Sequence, residues 1–165
     1  MLALSELGYG QTLMKIFRYP KMQRYNFSIA LRIWHPNIDP AIITGKLGLP
    51  SSNSATSGQP RQTPKGQQLG GTYAESYWHA DPFERGEYSS TDDMAEDVLA
   101  QILAVLNPHK QFLLLLKEQG ARLHLQVSSF SGRNYALELS PQFLANCATL
   151  GLSFVHDVYP HAQNC

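Results

Sequence analysis

Cysteine is nearly missing from this chain: Cys147 and the terminal Cys165 are its two thiols, and no CxxC spacing occurs. Disulfide frameworks and thiolate zinc sites both need more, so the expectation is a protein of a reducing compartment, placed in the cytoplasm, with no metal and no cofactor. Excess charge is missing too. Thirteen Lys and Arg balance thirteen Asp and Glu, and charged residues make up only 16% of the chain. With no net field to draw in polyphosphate or an anionic bilayer, nucleic-acid and membrane partners are not expected. The longest unbroken apolar run is Phe112 to Leu116, far short of the roughly 20 residues of a membrane span. The opening MLALSELGYGQTLMKIF carries Glu6 early and lacks a basic start, so it does not read as a signal peptide.

Catalytic spacings are absent as well. His35, His79, His124 and His156 fall in or beside expected strands, yet no HExxH or HxH occurs. Histidines on a polar sheet face are more often surface or hydrogen-bonded residues than metal ligands. There is no GxSxG elbow and no glycine-rich phosphate cradle. Cys147 follows Phe143 by four positions on the apolar side of its expected helix, which reads as core rather than as a reactive thiol.

What is present is helix punctuation, written twice. DPAIITGKLGL (Asp39 to Leu49) and SPQFLANCATLGL (Ser140 to Leu152) each open on an N-cap residue, Asp39 or Ser140, followed by proline. The cap oxygen takes a free N–H of the first turn, and proline costs nothing at the first helical position. Each phrase closes on a glycine, Gly48 or Gly151, suited to the left-handed residue that ends a helix. Asn107 and Pro108 read as a third opening, closed by Gly120.

Strands precede the two full phrases. In NFSIALRIW, Phe27, Ile29, Leu31 and Ile33 alternate with Ser28, Ala30, Arg32 and Trp34; in ARLHLQVSSF, Leu123, Leu125 and Val127 alternate with Arg122, His124 and Gln126. Period-two alternation marks half-buried strands. A turn at Ser131 to Asn134, a short strand in YALEL and a last strand in LSFVHDVY complete the second unit. The expected fold class is α+β: one antiparallel or mixed sheet with helices on one face, built from two related strand-helix units.

Between the units, residues 50–71 form a polar stretch without acids, expected as a mobile insert around a short strand near Ala55 to Ser57. TYAESYWHA restores strand character, with Trp78 expected in the core. Ser90 and Asp93 read as a capping box for a helix carrying Met94, Val98, Leu99, Ile102 and Leu106, which Pro108 should kink or restart. Charge is segregated: Lys15, Arg18, Lys21, Arg24 and Arg32 precede Pro36, while Asp81 to Asp97 holds seven acids against Arg85. These regions face each other or face partners, or the acids simply suit a helix start.

Together, FSIALRI, DPAIITGKLGLPSS, Gly58, Trp78 and LELSPQFLANCATLGLSFVHDVY resemble the bacterial family known as domain of unknown function 4279. The resemblance spans roughly Tyr25 to Tyr159 and implies a small α+β domain, with no activity and no catalytic residues to carry over. On it rests the expected division of the chain: an N-terminal extension 1–24, one domain 25–160 holding the insert, and a tail 161–165.

The expected site is therefore a surface. If helices cover Ile29, Leu31, Leu123 and Leu125, the other face presents Arg32, Trp34, Arg122, His124 and Gln126, an aromatic and arginine patch of the kind used in recognition. Asp157 and Tyr159 join the candidates at the end of the last strand. There Phe154, His156 and Val158 should point inward, which obliges His156 to find a hydrogen-bond partner. Asp157 should pair with Arg32 or Arg122. Function then reads as non-enzymatic binding of a protein partner, immunity-like neutralisation among the forms it takes, with the oligomeric state open. The alternative is a small hydrolase or metal-dependent enzyme using His35, His79, His124 and Asp157.

Overall fold

The computed structural model describes residues 24–63 and 65–160; most of the expected extension and all of the tail lie outside the described residues. Strict alternation builds β1 (Asn26–His35), whose odd-numbered residues are all buried. Its neighbour β7 (Arg122–Ser131) runs antiparallel, with Ala30 opposite Gln126 at the middle of the pairing. Around them the main sheet runs β2-β5-β1-β7-β8, where β2 is Asn53–Ala55, β5 is Ser76–Ala80 and β8 is Ser153–Pro160. The short β6 (Tyr88–Ser89) pairs with β1 beyond the end of β5.

Two caps start two helices as the sequence dictates. Asp39 accepts from the Ala41 N–H at the start of α1 (Pro40–Leu47), and Ser140 accepts from the Phe143 N–H at the start of α4 (Pro141–Thr149). Gly48 and Gly151 follow them with φ of 67° and 68°, the left-handed turn that a side chain would strain. The third helical segment is α2 (Ala95–Leu106), a 3-10 turn at Asn107–His109 and α3 (Lys110–Glu118). By length and composition Ala95–Glu118 would cross a membrane. Its inner stripe of Val98, Leu99, Ile102, Leu106, Leu113 and Leu116 is instead buried on the sheet.

All helices pack on one face, over Phe27, Ile29, Leu31, Ile33, Trp78, Leu123, Leu125 and Val127. Trp78 is fully buried, and its indole N–H donates to Thr44 of α1 at 2.9 Å. The units β1-α1-β2 and β7-α4-β8 are related by an approximate two-fold axis normal to the sheet. Both first strands have ten residues and run antiparallel, and each helix leads into a strand parallel to the first. They differ in one respect: β5 intervenes between β1 and β2, whereas β8 lies directly against β7.

Several local expectations are corrected. Residues 50–71 are not plain loop: they supply β2 and a separate hairpin of β3 (Pro60–Gln62) and β4 (Gln68–Thr72). Ser90 does not cap α2, because its hydroxyl accepts from the Tyr25 N–H instead, and Met94 takes the cap position without a side-chain bond. Asn107 ends α2 rather than opening α3. Tyr135 to Leu139 form no strand.

Candidate functional site

The face opposite the helices carries two rows of side chains running across the strands. In the first row Tyr77 of β5, Trp34 of β1 and Arg122 of β7 lie side by side; in the second, His79, Arg32 and His124 do. Neighbouring strands bring such rows to roughly 5 Å spacing. Trp34 sits at the centre of the ring contacts, with its centroid 5.3 Å from Tyr77 and 4.9 Å from His124. The Arg122 guanidinium lies 5.0 Å over Trp34 and pairs with Glu75, and Tyr77 stacks on His79 at 6.4 Å.

Arg32 differs from Arg122: its Nε is shielded from solvent and, among the described residues, meets no acceptor. The field of Arg32 reaches its neighbours. Burial, and then Arg32, holds His79 below the ordinary imidazole value, against the opposing pull of Asp81. Burial, then Arg122, Arg32 and Lys117, does the same to His124. Tyr77 is pushed up by burial, which Arg32 opposes. Ser52 meets His79 Nδ1 at 2.9 Å.

Of the expected residues, Arg32, Trp34, Arg122 and His124 come together. Gln126 is on the same face but only 3% exposed, and its amide donates to Asp157 at 2.5 Å and to Ser128 at 3.2 Å. Asp157 therefore pairs with neither arginine. The parallel register of β8 sets it beside Ser128, beyond Gln126 and toward the far end of β7 from Arg122. Tyr159 is farther still, stacked on Phe130, which is eight positions or about 26 Å along the strand from Arg122. Tyr77 and Glu75 were missing from the expected set. The burial of Trp78 implies the outward position of Tyr77, but the register that lays it against Trp34 is not written in either strand.

The inner face holds a second polar cluster. Val158 shares this face, opposite Ser129, but is left 59% exposed, whereas His156 is half-buried and has the partners its burial demands. Its Nε2 lies 2.8 Å from the Ser129 hydroxyl and 3.1 Å from the Tyr135 hydroxyl, which also bond each other. Burial keeps His156 below the ordinary imidazole value, Asp157 opposing. A cavity of about 560 Å³ opens beside Tyr135, His156 and Arg133, though Ser129 itself has no exposure.

The histidines do not assemble a centre. His35 is on the inner side, where Nδ1 accepts from the Asn37 and Ile38 N–H groups, so Nε2 is left to donate to Gln119. His79 and His124 stand on either side of Arg32. Among the described residues no three of His, Cys, Asp and Glu gather to hold a metal ion. Cys147 is buried against the core and raised to about 11 by that burial, the reverse of an activated thiol.

Residues 24–161 match the family described as Domain of unknown function (DUF4279). No curated protein and no solved structure matches the chain.

Proposed function

The chain belongs to the DUF4279 family, whose description assigns no activity, and we propose that it is a non-enzymatic binding domain that docks a protein partner on the outer face of its sheet. The observation behind this reading is the patch of Trp34, Tyr77, His79, His124, Arg122 and Arg32, gathered from three strands onto one surface. Trp, Tyr and Arg are the residue types that dominate binding energy at protein interfaces. None of the six is needed to fill the core, which lies wholly on the other face. An immunity-like role, in which the domain covers and neutralises its partner, is one form of such docking.

A photo-crosslinking residue placed at Trp34, and in parallel at Ile42 on the helical side, tests this in the native host. The expected result is one protein captured at Trp34 and not at Ile42, whose purified form binds the domain and loses affinity for Trp34→Ala. Equal capture at both positions contradicts the reading.

A second reading, a small hydrolase, draws on the Ser129, Tyr135 and His156 cluster beside its cavity rather than on the outer histidines. It requires hydrolysis of an activated ester such as p-nitrophenyl acetate that disappears in His156→Ala and persists in His124→Ala.

A further inference from the structure

Among the described residues Arg122 has a carboxylate and Arg32 has none, although both arginines lie on the same surface. Glu75 closes on Arg122 while that arginine also covers Trp34, and this corner of the patch is satisfied within the chain. Arg32 sits between His79 and His124 with its Nε desolvated and unbonded. A shielded guanidinium donor without an acceptor is costly, and the usual remedies are a carboxylate or phosphate oxygen. The carboxylates near this row are engaged elsewhere: Glu75 on Arg122, and Asp81 on the Phe83 and Gly86 N–H groups.

We infer that Arg32, flanked by His79 and His124 and walled by Trp34 and Tyr77, is the seat of a carboxylate side chain presented by the docked protein partner. The inference rests on the docking reading and names its chemistry. Charge complementarity selects a carboxylate-bearing chain over a polyphosphate. Thirteen Lys and Arg stand against thirteen Asp and Glu, so the chain offers no net positive field to a polyphosphate. Seven of those acids fall between Asp81 and Asp97, a stretch that leaves β5, passes β6, which pairs with Asn26 and Phe27 at the end of β1 away from Trp34, and ends in the first turn of α2 with Glu96 and Asp97. A nucleic-acid strand running down the sheet would meet that acidic end; a single Glu or Asp at Arg32 does not have to.

Acid strengthens this seat. His79 faces Arg32, Ser52, Tyr77 and Asp81, and His124 faces Arg32, Arg122, Lys117, Trp34 and Ser153. Among these groups only Asp81 favours a charged imidazole, so both rings are held below the ordinary imidazole value when the seat is empty. A carboxylate set between them favours their protonation, and linkage makes its affinity rise as pH falls toward and below 6.5.

The test uses the full-length, isotope-labelled protein, with acetylated hexaglutamate and octauridylate as separate probes, followed by NMR. Hexaglutamate is expected to move the Arg32 Nε–H, both imidazoles and the Trp34 indole while leaving the Trp78 indole in place. Loss of the charged hydrogen bond in Arg32→Gln should weaken binding about tenfold or more. Affinity should rise severalfold from about pH 7.5 to about pH 6, and the rise should vanish in the His79→Gln, His124→Gln double variant. Equal binding by Arg32→Gln, or tighter binding of octauridylate than of the peptide, overturns the inference. The outcomes also separate it from the docking reading. If the protein captured at Trp34 binds Arg32→Gln undiminished, docking stands and the carboxylate seat falls. If hexaglutamate seats at Arg32 while Trp34 captures nothing, Arg32 binds carboxylates but no partner presents one, and the docking reading and the inference resting on it both fall.

Discussion

The two faces of this sheet are made by the same strands and obey different rules. On the inner face the large apolar side chains of β1 and β7 are buried in the core; the Trp78 indole is held by Thr44 and His156 by Ser129 and Tyr135, while the Tyr25 and Tyr88 hydroxyls are shielded without a partner among the described residues. On the outer face the aromatic rings lean on one another and Arg32 keeps a shielded donor without an acceptor. What sets the second face apart is that its shielded donor belongs to a guanidinium and that its rings are only partly buried, the two features on which the docking proposal rests.

Substitutions sharpen that contrast. Trp78→Ala should be the most damaging, costing roughly 3–5 kcal/mol in denaturant unfolding because it removes the largest buried side chain and leaves a cavity between β5 and α1. Thr44→Val keeps the volume but strips the indole N–H of its acceptor, and about 1–3 kcal/mol of lost stability is expected. Trp34→Ala, of similar chemistry on the other face, should cost about 1 kcal/mol or less in stability, with its main effect on partner affinity. If Trp34→Ala proves as destabilising as Trp78→Ala, the outer patch is a second core and not a docking surface.

How much of this was legible in the sequence follows from which interactions are local. The alternation in β1 and β7, the caps at Asp39 and Ser140 and the glycines at 48 and 151 are short-range signals, and the structure honours each of them. Ser90 with Asp93 had the same local form and failed because a partner 65 positions earlier, the Tyr25 N–H, takes the Ser90 hydroxyl. Tyr135 to Leu139 had strand composition and pair with no strand, so composition alone did not decide it. At the candidate site the alternation placed Arg32, Trp34, Arg122 and His124 on one face. Register then decided the rest. It brought Tyr77 against Trp34, gave Arg122 to Glu75 and carried Asp157 to Gln126 instead of an arginine.

Acid should separate the faces by sign. His79, His124 and His156 are all held below the ordinary value of 6.5 in the folded state, each chiefly by burial. The unfolded chain thus binds protons that the folded chain refuses, and stability is full above 6.5 and falls as pH drops below it. A melting temperature flat between about pH 7 and 8 and declining below about 6.5 is expected, with a smaller decline in His156→Gln. Affinity for a carboxylate at Arg32 should move the opposite way over the same range. A parallel fall of both would mean that the outer histidines serve stability alone.

The most direct measurement is the denaturant stability of Arg32→Gln beside its affinity for the captured partner. A guanidinium that holds the fold together would cost well over about 1 kcal/mol to remove, whereas one kept for a partner is neutral or slightly destabilising in the free protein. Predicted is a variant as stable as the parent or a little more so, with binding lost. A clear fall in stability, or undiminished binding, would contradict the assignment of the outer face to a partner's carboxylate.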